Sequence, residues 1–293
     1  MQRISSAELI LNTDGSIYHL NLRPEDIAPT IITVGNPGRV SRVSKYFDEI
    51  RLKKEKREFV CHTGWVGKTE LSVLSTGIGP DNIDIAINEL DALVNIDFGT
   101  RMPKAEHTAL NIIRVGTSGS LRAGLPVDSL VASAYGIGLD NMLSFYQYQQ
   151  NLPEAELEDE LRAFLEDKMD LPFYVCAGNS ALLESIGTGM HHGITLTAAG
   201  FYGPQGRQLR LQPRFNTDRM EQLGHFYFGK TPITNFEMET AAIYGLCRML
   251  GHRALSTNVI LANRPAGKFS SDPGQSVEKL IKFVLQRLEG SVY

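Results

Sequence analysis

Short runs of β-branched and apolar residues alternate along the chain with longer stretches in which apolar positions return every three or four residues. The strand-like runs are "TIITVGN" (30–36), "KTELSVLSTG" (68–77), "NIIRVGTSG" (111–119), "SLVASAYGIG" (129–138), "GITLTAAG" (193–200) and "ALSTNVILAN" (254–263). Helical spacing runs from Asp81 to Asp97, Asn179 to Met190, Met238 to His252 and Ser276 to Gly290, with polar residues placed to cap each start. The acidic segment "NLPEAELEDELRAFLEDKMDLP" (151–172) reads as an amphipathic surface helix and not as a linker. Such alternation predicts an α/β sheet. With no internal repeat or low-complexity tract, residues 1–293 read as a single domain.

Composition narrows what the sheet can serve. A net charge of −4 gives no broad positive field, so no nucleic-acid partner is expected and any anion site must be local. Cys61, Cys176 and Cys247 are widely spaced in apolar surroundings, which suits reduced core thiols and a cytoplasmic location better than a disulfide or zinc framework. The first residues, "MQRISSAELILNTDGS", carry polar groups where a signal peptide would be apolar, and no run is long enough to span a membrane. No membrane partner is expected.

Three predicted strands run into glycine: Gly35 after "TIITV", Gly77 and Gly79 after "SVLS", Gly116 and Gly119 after "IIRV". Ligands of open α/β sheets collect at such strand ends, where glycine lets backbone N–H groups approach an anion. In "VGNPGRV", Pro37 suits a first helical turn and Arg39 sits where the helix dipole favours negative charge, although a plain turn with a solvent-facing arginine has the same pattern. Arg114 lies inside so apolar a strand that it must find an oxyanion or a carboxylate, with Thr117 beside it. Arg57 belongs to a basic run, "KREF", that could equally be solvated. Converging arginines, a threonine hydroxyl and a glycine N–H meet the needs of inorganic phosphate. Without "GxxxxGK[ST]", a nucleoside triphosphate is not the natural guest.

"FYGPQGRQLR" sets Gln205 and Arg207 two apart, on one side of an extended chain. Glutamine donates and accepts, fitting an imide N–H beside a carbonyl, and arginine only donates, demanding a carbonyl opposite. Uracil satisfies both; cytosine would turn an amino group toward a donor. In "NFEMETAA", Glu237 and Glu239 cannot share one helical face, so at most one would accept from a pair of ribose hydroxyls while Met238 packs on the sugar. Acidic residues in a first helical turn are also expected from the dipole alone.

Taken together, "IYHLNL", "TVGNPGRV", "KREF", "STGIG", "IIRVGTSGS", "FYGPQGR", "NFEMET" and "NVILANR" resemble the nucleoside phosphorylase family of the hexameric bacterial-type α/β fold, and within it the uridine phosphorylases. The resemblance spans most of the chain and implies a central mixed β-sheet flanked by helices. It implies phosphorolysis of uridine to uracil and ribose 1-phosphate by a homo-oligomer whose active sites are shared between subunits. Phosphate would be held by Gly35, Arg39, Arg114 and Thr117, with Arg57 from a neighbouring subunit. Ribose would meet Met238 and Glu239, with the neighbour's His19 near the 5′-hydroxyl, and uracil would meet Phe201, Gln205 and Arg207.

Purine-specific relatives carry an aspartate after the last strand to protonate the base; this chain has "ILANRPAG" there. A uracil anion can leave if donors await its charge, so Gln205 and Arg207, with Arg114 on the phosphate side, are the catalytic residues expected. No metal and no organic cofactor is needed. Some relatives bind a monovalent cation between subunits through a glutamate, an isoleucine carbonyl and a serine; Glu58 and Ile78 match, but Asn82 replaces the serine, so no cation is expected. "RPAGKFSSDPGQ" suits a lid that excludes water. The adjacent His191 and His192 would face opposite sides of a strand and make a poor metal pair.

Overall fold

The computed structural model describes residues 3–165, 172–215 and 217–289. The chain first lays down β1 (Thr30–Val34), α1 (Pro37–Ser44), a hairpin of β2 (Glu49–Lys56) and β3 (Phe59–Val66), then β4 (Thr69–Ser75) and α2 (Pro80–Asn95). A ribbon of β5 (Ile96–Asp97) and β6 (Met102–Pro103) leads to the long strands β7 (Asn111–Ser120) and β8 (Leu130–Leu139). Next come α3 (Leu152–Phe164), β9 (Tyr174–Ala177), α4 (Ser180–Gly187) and β10 (His191–Ala198). The remainder forms α5 (Thr217–Gly224), β11 (Tyr227–Phe228), β12 (Thr231–Glu237), α6 (Thr240–Met249), β13 (Arg253–Asn263), β14 (Lys268–Phe269) and α7 (Pro273–Leu288).

All six strand-like runs are strands. Helix starts differ where the cap was misread: α7 begins at Pro273 because the Asp272 side chain accepts from the Gln275 N–H. Gly79, at φ 102°, precedes α2 with no side-chain cap. Asn151 caps α3 in a reciprocal capping box with Glu154, and residues 166–171 of that expected helix lie outside the described residues, as does Gly290.

Among the described residues, twelve strands join one mixed sheet in the order β11-β12-β10-β8-β13-β7-β1-β4-β3-β2, with β9 on β8 and β14 on β13. Its centre is parallel, β4, β1, β7 and β13 in turn, before β13 meets β8 antiparallel. The sheet does not stay open. Asn235 and Phe236 of β12 pair antiparallel with Ser120 and Gly119 of β7, so β7, β13, β8, β10 and β12 close a ring. That closure brings the end of β12 against the end of β7.

Adjacent residues of β1 serve opposite faces, as the pleat requires. Ile31 packs with Ile83, Ile87 and Leu90 of α2 and Leu246 of α6, whereas Ile32 packs with Val40 of α1, Leu182 of α4 and Ile281 of α7. Each such side chain contributes roughly 1.5–3 kcal/mol of burial. The helix layers thereby hold the sheet rigid where its strand ends meet a ligand. The three cysteines are buried and free, and burial pushes the Cys61 thiol up to about 12. Among the described residues, no helix is long and apolar enough to cross a membrane.

Candidate active site

At the strand ends lies a cavity of about 420 Å³ that gathers Gly35, Arg39, Arg114, Thr117, Phe201, Gln205, Arg207, Met238 and Glu239. Residues as far apart in sequence as Gly35 and Phe269 thus line one cavity. The topology accounts for it: β1, β7 and β13 run parallel, β1 stops beside the Arg114 end of its pairing with β7 while β7 and β13 continue to Ser120 and Asn263, and β12 folds back onto β7.

Arg114 is buried, and its local backbone is shaped around it. A Cβ on Gly116 would fall 1.9 Å from Arg114 Nη1, so the guanidinium lies over a residue that must be glycine. Nη1 donates to Asn258 Oδ1 at 2.6 Å, and Nη2 meets Glu239 Oε2 at 2.5 Å and Glu237 Oε2 at 3.1 Å. Burial works against the charge, but the two carboxylates outweigh it and raise the guanidinium above its ordinary value. Arginine offers five N–H donors, so these bonds leave others for a ligand.

The two glutamates divide their work. Glu237 ends β12 and its carboxylate accepts from the N–H groups of Glu239 and Thr240, which caps α6, and from Thr197 Oγ1 at 2.7 Å. Glu239 is the residue just before α6, not within a helical turn, and its Oε1 accepts from Gly79 N–H at 2.8 Å. The helical-face reasoning therefore does not apply, since both carboxylates converge on Arg114 from non-helical backbone. Burial and the neighbouring Glu237 raise the Glu239 pKa, with Arg114 opposing them.

Arg39 enters from α1 and donates from Nη1 to the Val115 carbonyl at 3.0 Å. Among the described residues no carboxylate lies within ion-pair distance of it. Burial, then the nearby charge of Arg114, lowers its pKa to about 10 against the opposing influence of Glu239, so it is cationic at neutral pH. Two guanidinium groups and the glycine-rich ends of β1 and β4 surround this part of the cavity, which is suited to a small anion.

At the other end, Gln205 and Arg207 do lie side by side, though not in extended chain. Gly203–Gln205 is a 3-10 turn ended by Gly206 at φ 66°, and the turn brings Arg207 Nη1 to Gln205 Oε1 at 2.5 Å. Arg207 also donates to the Phe201 carbonyl at 2.7 Å and lies 3.8 Å from the centre of the Phe201 ring. Arg264, which the sequence reading passed over, donates to the carbonyls of Gln205 and Gly206 and so fixes the turn. The expected lid folds as the β13–β14 hairpin and presents Phe269, 65% exposed, to the cavity.

Arg57 and His19 do not line this cavity. Arg57 sits exposed in the β2–β3 turn at φ 56°, a left-handed conformation unusual for a side-chain-bearing residue, and stands 5.9 Å from the Tyr18 ring. His19 packs edge-on against the same ring and its Nδ1 meets Glu89 Oε1 at 2.6 Å. The two residues assigned to a neighbouring subunit therefore share one patch of surface.

Asn82 Nδ2 donates to the Ile78 carbonyl at 3.2 Å. Asp91, His107 and His252 bring ligand atoms within 4.8 Å of one another, a cluster the sequence spacing did not reveal. His252 Nδ1 accepts from the Leu110 N–H, which puts the ring proton on the buried Nε2 that faces Asp91 and removes the lone pair a metal would use.

Residues 29–289 match the family described as the Phosphorylase superfamily, and the chain belongs to it. Uridine phosphorylase of Thermococcus kodakarensis is 30% identical over 271 residues, covering 92% of this chain and 85% of the relative. Uridine phosphorylase of Escherichia coli is 26% identical over 258 residues, covering 85% of this chain and 86% of the relative. A crystal structure of a Trypanosoma brucei nucleoside phosphorylase, described as showing uridine phosphorylase activity, shares 31% identity and a TM-score of 0.86 over 97% of this chain and 100% of that one.

Proposed function

We propose that this chain is a uridine phosphorylase, a pentosyltransferase that converts uridine and inorganic phosphate into uracil and ribose 1-phosphate. The observation that carries the reading is the pair Arg39 and Arg114 at one end of a cavity whose other end holds Gln205 and Arg207. Phosphate lies with Arg39, Arg114, Thr117 and the Gly35 backbone; Glu239 and Met238 take the ribose; Gln205, Arg207 and Phe201 take the base. A phosphate oxygen forms a bond to the anomeric carbon as the bond to uracil N1 breaks. The electron pair leaves on the ring and spreads to its carbonyls, where Arg207 stabilises it. Positioning of the two reactants supplies much of the rate.

No metal or organic cofactor takes part in this scheme. The enzyme works as a homo-oligomer in the cytoplasm, with Arg57 completing the phosphate site and His19 the ribose site of an adjacent subunit. The left-handed backbone at Arg57 and its nearness to His19 support that assignment. The test is an absorbance assay of uridine, thymidine, inosine and adenosine, each with and without phosphate. Phosphate-dependent loss of uridine is expected, and uracil release at the same rate in phosphate-free buffer would instead make the protein a nucleosidase.

A further inference from the structure

A second cavity, of about 430 Å³, adjoins the base end of the first and shares Arg207 with it. Arg264 contributes a second guanidinium to its wall, beside the side chains of Gln208, Gln212 and Tyr202. Among the described residues no carboxylate lines it, and the chain carries no Asp or Glu between Glu184 and Asp218. In a protein of net charge −4, the guanidiniums of Arg207 and Arg264 make this wall locally positive.

The two guanidiniums are spent on neutral acceptors. Arg207 donates to the Phe201 carbonyl and the Gln205 amide, and Arg264 to the Gln205 and Gly206 carbonyls. Burial, reinforced by Arg264, holds Arg207 at about 10, and burial lowers Arg264 as well. Among the described residues neither has a carboxylate partner, and both line the second cavity. An anion there would relieve the repulsion, as phosphate does for Arg39 and Arg114.

Uracil chemistry restricts where such an anion could be carried. If Gln205 meets N3–H and Arg207 the adjoining carbonyl, the ring positions flanking that carbonyl are N3 itself and one other. N1 bears the ribose, so the carbonyl beside a free carbon is the one at C4, and that carbon is C5. We propose that the second cavity receives a carboxylate carried on C5 of a uracil-class base, so that the site accepts acidic 5-substituted uracils alongside uracil itself. This rests on the assignment of Gln205 and Arg207 to the base.

Equilibrium binding of 5-carboxyuracil and of uracil to the intact protein tests it without requiring turnover. Tighter binding of the carboxylated base by about tenfold or more is expected, the size one charge-assisted hydrogen bond carries. Gln212 lines only the second cavity and is exposed, so Gln212→Glu would place a competing carboxylate beside the guanidiniums without disturbing the core. Gln212→Glu should abolish the preference and leave uracil affinity within about twofold, and Gln212→Leu should preserve the preference. Equal or weaker binding of 5-carboxyuracil by the unaltered protein overturns the inference, as does an equal loss for both bases in Gln212→Glu. Failure to cleave uridine, by contrast, overturns the proposed function and leaves the binding preference to be read on its own.

Discussion

Arg114 Nη2 contacts Glu239 Oε2 at 2.5 Å, so the proposed phosphate and ribose sides of the cavity meet in one buried ion pair. Whatever binds on one side redistributes the charge seen by the other. Glu239→Gln should lower kcat/KM for uridine by about 10²-fold, the scale of a lost hydrogen-bond partner for substrate hydroxyls. Because the substitution also removes a negative charge beside two guanidiniums, inorganic phosphate should bind at least as tightly as before. Calorimetric titration with phosphate checks the second half; markedly weaker phosphate binding would contradict it.

Arg207 is half-buried beside Phe201 and makes no ion pair among the described residues. Its removal should therefore spare the fold and damage the chemistry. Arg207→Ala is expected to reduce uridine turnover by about 10²-fold or more, as for loss of one charge-stabilising donor, with an unchanged melting temperature. An undiminished steady-state rate would exclude the leaving-group role.

Gly116 permits the Arg114 guanidinium to lie across the β7 backbone. Gly116→Ala should push Arg114 away from Asn258 and Glu239, at a cost of about 1–3 kcal/mol typical of overpacking. Denaturant titration would register the loss of stability, and the KM for phosphate should rise in the same variant. Unaltered values of both would show that Arg114 does not depend on this glycine.

Arg39 has its pKa lowered to about 10, first by burial and then by Arg114. Below that value it is cationic, and above it the proton is lost and the attraction for phosphate falls. Phosphate affinity should therefore decline as pH rises through about 10, and phosphate, by favouring the charged form, should shift the decline upward. For stability the sign is opposite. The folded pKa lies below the ordinary 12.5, so the cost of burying the charge is present in full at neutral pH and is relieved as pH rises from about 10 towards 12.5. At neutral pH, inorganic phosphate should raise the melting temperature, and Arg39→Ala should lose most of that rise.

Much of this arrangement could be read from the chain because strand ends announce themselves. "TIITVGN" and "IIRVGTSG" join β-branched runs to glycine and arginine, and both became walls of the cavity. β2 was hidden because "EIRLKKEK" is an edge strand whose exposed positions carry charge, and it reads as a solvated basic run. β12 was masked by Pro232 near its start, next to the short β11 at the sheet's other edge. Closure of the ring depends on β12 meeting β7 across more than a hundred residues, which no local pattern encodes. Asn258 left a signal that went unused, since an amide inside "LSTNVIL" must find a buried partner, and that partner is Arg114. Arg264 gave less, because its role is to hold a backbone turn that the chain forms elsewhere.

The most direct test is a crystal structure of the protein with phosphate and a non-cleavable uridine analogue. The account predicts one phosphate contacted by both Arg39 and Arg114, the ribose hydroxyls on Glu239, and the pyrimidine edge on Gln205 and Arg207. A phosphate bound elsewhere, or a base lying outside the cavity these residues line, would contradict it.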